Sequence, residues 1–306
     1  MQRINSLNQN LTAGTTRPVL SPVSTRTPDD IVIVGAYRTP LGKAGRGELK
    51  DTAPEVLLST VLRGLVEKTG VDINKVEDMV VGNCLQPGAG ALIARAAQLM
   101  AGFPVTSTTA AINRQCSSGI EACSIIASKV KRGVIDIGIG AGVESMSLFD
   151  MNGMVDPEKI SDELFDHETA RNCLQSMGMT SENVAKKYNL QRRRLDEFAA
   201  ESQRRAHHAQ QNGWFDEEII PVNTIIRDKE GNEKKITVTR DGGVRPGTTA
   251  EKLGKLRPSF GKDGVSTAGN SSQTTDGAAA VLITRRAVAE QLGLPIVGRF
   301  ISYAVA

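Results

Sequence analysis

Apolar runs and amphipathic stripes alternate along the chain from Asp30 to about Glu144. Ile31-Val32-Ile33-Val34 is apolar at every position, the pattern of a strand covered on both faces. Pro54 opens a segment in which Leu57, Val61, Leu62 and Leu65 recur at helical spacing, and Gly70 closes it. Met79-Val80-Val81-Gly82 predicts the next strand. A Gly/Ala-rich turn, Pro87 to Ala91, leads into a helix of small residues ending near Gly102. Thr108 to Asn113 predicts a strand, and a helix to about Lys131 follows, with Ile120, Cys123, Ala127 and Val130 as its apolar stripe. Ile135 to Gly140 predicts another buried strand. This alternation implies an α/β sheet with helices on its faces.

At Glu144 the rhythm breaks. From Ser145 to about Ser266 the chain is more polar and irregular, with one long amphipathic helix from Gln191 to Asn212. Its apolar positions are Leu195, Phe198, Ala199, Ser202 and Ala206. Residues 222 to 240 predict a charged hairpin turning at Glu230-Gly231-Asn232. The region is expected to be a large insertion laid over the sheet, of the kind that carries substrate contacts. Sheet logic returns at Ala278 to Ile283, followed by a helix from Arg285 to Leu292 and a last strand from Ile296 to Val305. No internal repeat or heptad is evident.

The composition narrows the class without changing this picture. The 306 residues are 40% hydrophobic and 23% charged, and the net charge of +3 is too small to argue for nucleic acid. No apolar run approaches the roughly 18 residues of a membrane helix. Cys84, Cys116, Cys123 and Cys173 show no CxxC spacing, which favours a reducing compartment over a disulfide framework and argues against zinc. Residues 1 to 28 contain no Asp or Glu and read as a flexible leader, in which Ile4, Leu7 and Leu11 share one helical face beside Arg3.

Three corners carry candidate chemistry. Asn113-Arg114-Gln115-Cys116-Ser117-Ser118-Gly119 runs from a strand into a helix, placing Cys116 at the helix's first turn, where unpaired N–H groups and the helix dipole favour a thiolate. Cys116 is the candidate nucleophile and its own N–H a candidate oxyanion donor. A buried structural cysteine is the ordinary alternative. Gly140 to Met146 closes the next strand with a second glycine corner, outside the strand ends where open α/β sheets bind ligands. Thr267 to Gln273 is a loop of small hydrogen-bonding residues ahead of a buried strand; an ordinary turn would look the same. No base stands out. His207 and His208 lie in a polar helical stretch and His167 in an acidic loop, while Cys123 is seven residues up the helix, roughly 10 Å from Cys116.

These residues resemble the thiolase family, in its peroxisomal 3-ketoacyl-CoA branch. Five blocks carry the resemblance in order: Asn113 to Gly119, Gly142 to Met146, Met177-Gly178 with Glu182-Asn183-Val184-Ala185, Lys255-Leu256-Arg257-Pro258, and Ala268 to Ser272. The resemblance implies a thiolase-like N-terminal α/β half, a mixed five-stranded sheet between helices, at residues 30–145 and 267–306. It implies an inserted CoA-binding loop domain at 146–266 and a targeting leader at 1–29. It further implies that Cys116 attacks a 3-ketoacyl-CoA and holds the acyl group as a thioester. Arg245 would lie near the nucleotide of CoA, Met177 along the pantetheine, and Ser272 would hydrogen-bond to it. CoA is a substrate in this scheme, no cofactor or metal is implied, and a homodimer is expected.

Thiolases also have a second half that supplies Asn-Glu-Ala-Phe, Gly-His-Pro and Cys-x-Gly segments, with the activating His and the acid/base Cys. None occurs in this sequence. The chain is therefore expected to be a truncated thiolase with negligible thiolytic turnover on its own. An acetyl-CoA acetyltransferase is the neighbouring enzymatic reading. A non-catalytic chain that binds CoA or pairs with a full-length subunit is the third. Arg3-Ile4, five residues, then Asn10-Leu11 is similar to the N-terminal peroxisomal signal recognised by an import receptor, with Asn10 in place of the usual His or Gln. The acid-free leader keeps a mitochondrial destination as the alternative.

Overall fold

The computed structural model describes residues 26–151 and 157–305. Strand β1 (Ile31–Arg38) opens it, followed by the two-residue β2 (Gly42–Lys43). Helix α1 (Pro54–Thr69) starts on a proline, whose missing N–H would have no helical partner anyway. It ends at Gly70, where φ is +69° and the N–H bonds to the Val66 carbonyl. Leu57, Leu58, Val61, Leu62 and Leu65 of α1 are fully buried, each worth roughly 1.5–3 kcal/mol of hydrophobic stabilisation.

Strand β3 (Asp78–Gly82), helix α2 (Ala91–Met100), strand β4 (Thr108–Ile112), helix α3 (Ser118–Lys131) and strand β5 (Ile137–Ser145) continue the alternation. Strand β8 (Thr275–Arg285) returns after the insertion, helix α9 (Arg286–Gln291) follows, and β9 (Gly298–Arg299) ends the sheet. The strand order is β4-β3-β5-β8-β1-β9, with β2 on β8. β3 runs parallel to β4 and β5, whereas β8 is antiparallel to β5, β1 and β2. The five long strands match the mixed sheet implied by the resemblance, and the two-residue strands raise the total to seven.

The period-2 alternation of strands sorts side chains onto two faces. Met79 and Val81 join α1, Ile137 and Ile139 in one core, while Val80 points the other way to Ala122, Ile126, Ala127 and Val130 of α3. Helices therefore cover both faces, which is why the strand sequences read as continuous apolar runs.

The chain leaves the sheet at Ser145 and returns at Thr275, and Ser145 pairs with Asp276. Asp276 accepts the Ser147 N–H at 2.8 Å, so the two crossings are tied together. Between them lie the short helices α4 (Asp162–Asp166) and α5 (Glu168–Arg171), then α6 (Met177–Lys187), α7 (Arg192–Gln211), strands β6 (Val222–Arg227) and β7 (Glu233–Val238), and α8 (Ala250–Gly254). The hairpin forms where expected, with Gly231 at φ +87°, and its Val222 and Val238 enter the main core.

Three expectations need correction. The last strand covers only Gly298–Arg299, because β1 offers its edge for two residue pairs alone. Ile120 is largely exposed, since α3 packs through Ala122 and Ile126 and a residue two positions away points about 200° around the helix. On α7, Phe198 and Ser202 are exposed and Asp196 is buried at 1% exposure, held by Arg192 and Asn270. The stretch Arg3 to Leu11 that carries the import-signal resemblance lies outside the described residues.

Candidate active site

The parallel strands β3, β4 and β5 end on one side of the sheet, and the loop before α3 crosses those ends. Glycines let it come close. A Cβ on Gly82 would stand 2.4 Å from the Ser118 carbonyl carbon, and one on Gly140 would stand 2.6 Å from the Cys123 Cα. Side chains at these positions would lift α3 off the sheet.

Ser117 is the N-cap, so Cys116 stands one residue ahead of the cap and not in the first turn. The corner is closed by its own polar groups. Ser118 Oγ accepts the Arg114 N–H at 2.8 Å and donates to the Gln115 carbonyl. The Ser117 and Ser118 N–H groups bond to the Arg114 and Gln115 carbonyls, each at 3.1 Å. Gln115 takes φ +49°, a left-handed conformation rarely adopted by residues with a side chain. Cys116 is exposed, and its N–H makes no hydrogen bond among the described residues. A thiol open to a substrate thus sits beside an unused backbone donor, the arrangement an oxyanion site requires.

Sequence reasoning missed the neighbours of this corner. Cys84, just beyond β3, donates its thiol to Gln115 Oε1 at 3.3 Å and accepts Asn113 Nδ2 on its carbonyl at 3.0 Å. Glu144 at the end of β5 accepts the Cys84 N–H at 2.9 Å. Burial holds the Glu144 carboxyl above its ordinary pKa, against the opposing hydrogen bonds from Cys84, Leu85 and Asn83. Burial also pushes the Cys84 thiol up, and the charges of Glu144 and Cys116 add to it. Cys123, tucked against Gly140, is pushed up to about 11 by burial and faces away from any proton-transfer role.

Two of the histidines are used elsewhere. His167 Nδ1 accepts the Ala170 N–H at 3.3 Å as the cap of α5, and His208 packs edge-on against Trp214 at 5.1 Å. Among the described residues no histidine bonds to Cys116, and no group of three or more His, Cys, Asp or Glu side chains could hold a metal ion. No described helix is long and apolar enough to cross a membrane.

The three candidate CoA contacts sit in the insertion and at its return. Met177, 65% exposed, begins α6 just after the N-cap Ser176. Glu182 on α6 accepts the Val265 and Ser266 N–H groups, which ties that helix to the loop bearing Ser272. Thr267 and Asn270 brace the same loop, with Asn270 Nδ2 reaching the buried Asp196 at 2.9 Å. Arg245 is exposed, and its N–H bonds to Gln203 of α7 at 2.8 Å. The insertion thus links Met177's helix to Ser272's loop directly and Arg245 to both through α7. Cys116 belongs to the separate set of contacts described above.

An exposed cysteine corner over parallel strand ends, with a large insertion leaving the sheet at the same edge, is the arrangement of the thiolase class. Residues 31–287 match the family described as thiolase, N-terminal domain, and the chain belongs to the thiolase family. It is 48% identical over 301 residues to the peroxisomal 3-ketoacyl-CoA thiolase of Yarrowia lipolytica, covering 98% of this chain and 72% of that one. It is 48% identical over 288 residues to the human peroxisomal 3-ketoacyl-CoA thiolase, covering 94% and 67%. The dimeric peroxisomal thiolase of Saccharomyces cerevisiae superposes with a TM-score of 0.82 at 42% identity, covering 90% and 70%. The chain spans roughly two thirds to three quarters of the length of these relatives.

Proposed function

We propose that the chain is an acyltransferase of the 3-ketoacyl-CoA thiolase type, acting in fatty acid β-oxidation in the peroxisome. The exposed Cys116 beside an unused N–H carries this reading, together with the names of its relatives. The Cys116 thiolate adds to C3 of a 3-ketoacyl-CoA. The resulting alkoxide collapses, the C2–C3 bond breaks, and acetyl-CoA leaves once its C2 carbanion takes up a proton. The acyl thioester left on Cys116 is then attacked by the thiolate of a second CoA, which regenerates Cys116 and releases acyl-CoA. The Cys116 N–H stabilises the oxyanion in both additions. CoA is substrate throughout, and no cofactor takes part.

Residues 146–266 form the CoA-binding insertion in this reading, between core segments 30–145 and 267–306. Arg245 meets the phosphates of the nucleotide end, Met177 lies against the pantetheine arm, and Ser272 hydrogen-bonds to it. The protein works as a homodimer, a reading supported by its likeness to the dimeric yeast enzyme, and the leader 1–29 addresses it to a peroxisomal import receptor.

Bromoacetyl-CoA tests the site directly, because it brings an alkylating carbon on a CoA handle and asks only for the thiolate, whose proton the alkaline buffer takes up as bromide leaves. The expected result is one adduct, on Cys116, suppressed by free CoA, with saturation weakened in Arg245→Ala. An adduct shared among Cys84, Cys116 and Cys173, or one indifferent to CoA, would overturn the assignment.

A further inference from the structure

Glu144 is the penultimate residue of β5, in the second glycine corner, and the reaction as described makes no use of it. Its side chain is half-buried, and a carboxylate drawn out of water is stable only when hydrogen-bonded or paired. It accepts the Cys84 N–H at 2.9 Å, the Leu85 N–H at 3.4 Å and Asn83 Nδ2 at 3.1 Å. Asn83 also donates to the Val143 carbonyl, and its Oδ1 accepts the Gln86 N–H at 2.8 Å. One carboxylate and one amide therefore fix the whole Asn83–Gln86 loop.

That loop reaches the nucleophile corner by two routes. Through its carbonyl, Cys84 holds Asn113 Nδ2, and Asn113 Oδ1 in turn accepts the Gln115 N–H at 2.8 Å. Through its thiol, Cys84 donates to Gln115 Oε1. Both routes end on Gln115, the residue at φ +49° immediately before Cys116. A left-handed residue with a side chain persists only where its surroundings impose it. Relaxation of Gln115 into an ordinary conformation would swing Cys116 away from the strand ends.

We propose that Glu144 is a positioning residue for Cys116, acting through the Asn83–Gln86 loop and Asn113 to hold Gln115 in its left-handed conformation. The proposal rests on the reading of Cys116 as nucleophile. Glu144→Gln keeps the shape but turns an N–H₂ group toward donors, which breaks part of the cradle. Asn113→Ala cuts the route through the Cys84 carbonyl downstream and leaves the thiol contact to Gln115.

The test measures the rate of bromoacetyl-CoA capture at each cysteine by peptide mass in the 306-residue chain. Capture at Cys116 is expected to fall at least tenfold in each single variant, with Cys123 still protected. The double variant should be no slower than the slower single one, because both substitutions cut one network. Capture in Glu144→Gln within twofold of wild type would overturn the proposal. So would multiplied effects in the double variant, or labelling of Cys123, which would reveal general loosening. Failure of the wild-type chain to react at Cys116 would instead sink the thiolase site itself.

Discussion

At the scale of single residues, the site depends on what is missing from Gly82. Its absent side chain leaves room for the Ser118 backbone, which has no flexible end to move aside. Gly82→Ala is expected to destabilise the chain by about 3 kcal/mol, the upper end of overpacking costs, and urea unfolding reads it. Cys123 gives a second test through pH. Its thiol ionises near 9.0 when unfolded and is held to about 11 when folded. Between those values the unfolded chain has released a proton that the folded chain keeps, so stability falls as pH rises through the window. The loss should approach about 2–3 kcal/mol by pH 11, and Cys123→Ala should lack that part of the slope in paired urea titrations. Cys116 itself was legible in the sequence, because a strand followed by a polar corner and a helix is local information. Glu144 lay inside the second glycine corner with no role of its own, and Cys84 was only one of four cysteines without CxxC spacing. Their contact joins residues 60 apart, and it follows from the parallel register that sets Gly82 opposite Gly142. Nothing local encodes a register between strands.

Elements differ in legibility for a related reason. The buried strands and α1 announce themselves, since both faces or a full stripe are apolar. α6 does not, because it is short, exposed and fixed by one carboxylate, Glu182, that caps a loop 83 residues downstream. The stripe assigned to α7 misplaced Phe198 for the same reason: the helix is anchored by a polar residue. Asp196 binds Arg192 at 2.8 Å and Asn270 at 2.9 Å, coupling α7 to the return loop. Asp196→Ala leaves both partners short of an acceptor, although Arg192 keeps the Leu253 and Leu256 carbonyls. A loss of about 2 kcal/mol is expected, confined to this coupling. Hydrogen exchange should quicken roughly 30-fold at residues 265–272 while β3 and β5 stay protected. Equal acceleration in the core strands would show that the insertion and the sheet unfold as one unit.

For the whole molecule, the division of labour is visible in what surrounds Cys116. The described residues place a thiol, an N–H donor and a braced corner together, and the insertion leaves Met177 and Arg245 exposed. Among the described residues no histidine or carboxylate bonds to Cys116: His167 caps a helix, His208 packs on Trp214, Glu144 is taken up by the Asn83–Leu85 loop, and burial pushes Cys84 up and holds Cys123 to about 11. Both half-reactions need proton transfer, first from the Cys116 thiol and to the departing carbanion, then from the incoming CoA. Positioned acid–base groups contribute roughly 10²–10⁴-fold to such steps. The 306-residue chain is therefore expected to cleave acetoacetyl-CoA at least 100-fold more slowly than the roughly 10 s⁻¹ of a typical enzyme, while still capturing bromoacetyl-CoA at Cys116. Loss of the 3-ketoacyl-CoA absorbance in the presence of CoA measures it. A turnover near 10 s⁻¹ would mean that a described residue moves to serve as the base. His207 would then be the first to substitute, as the one histidine with no cap or ring contact described above.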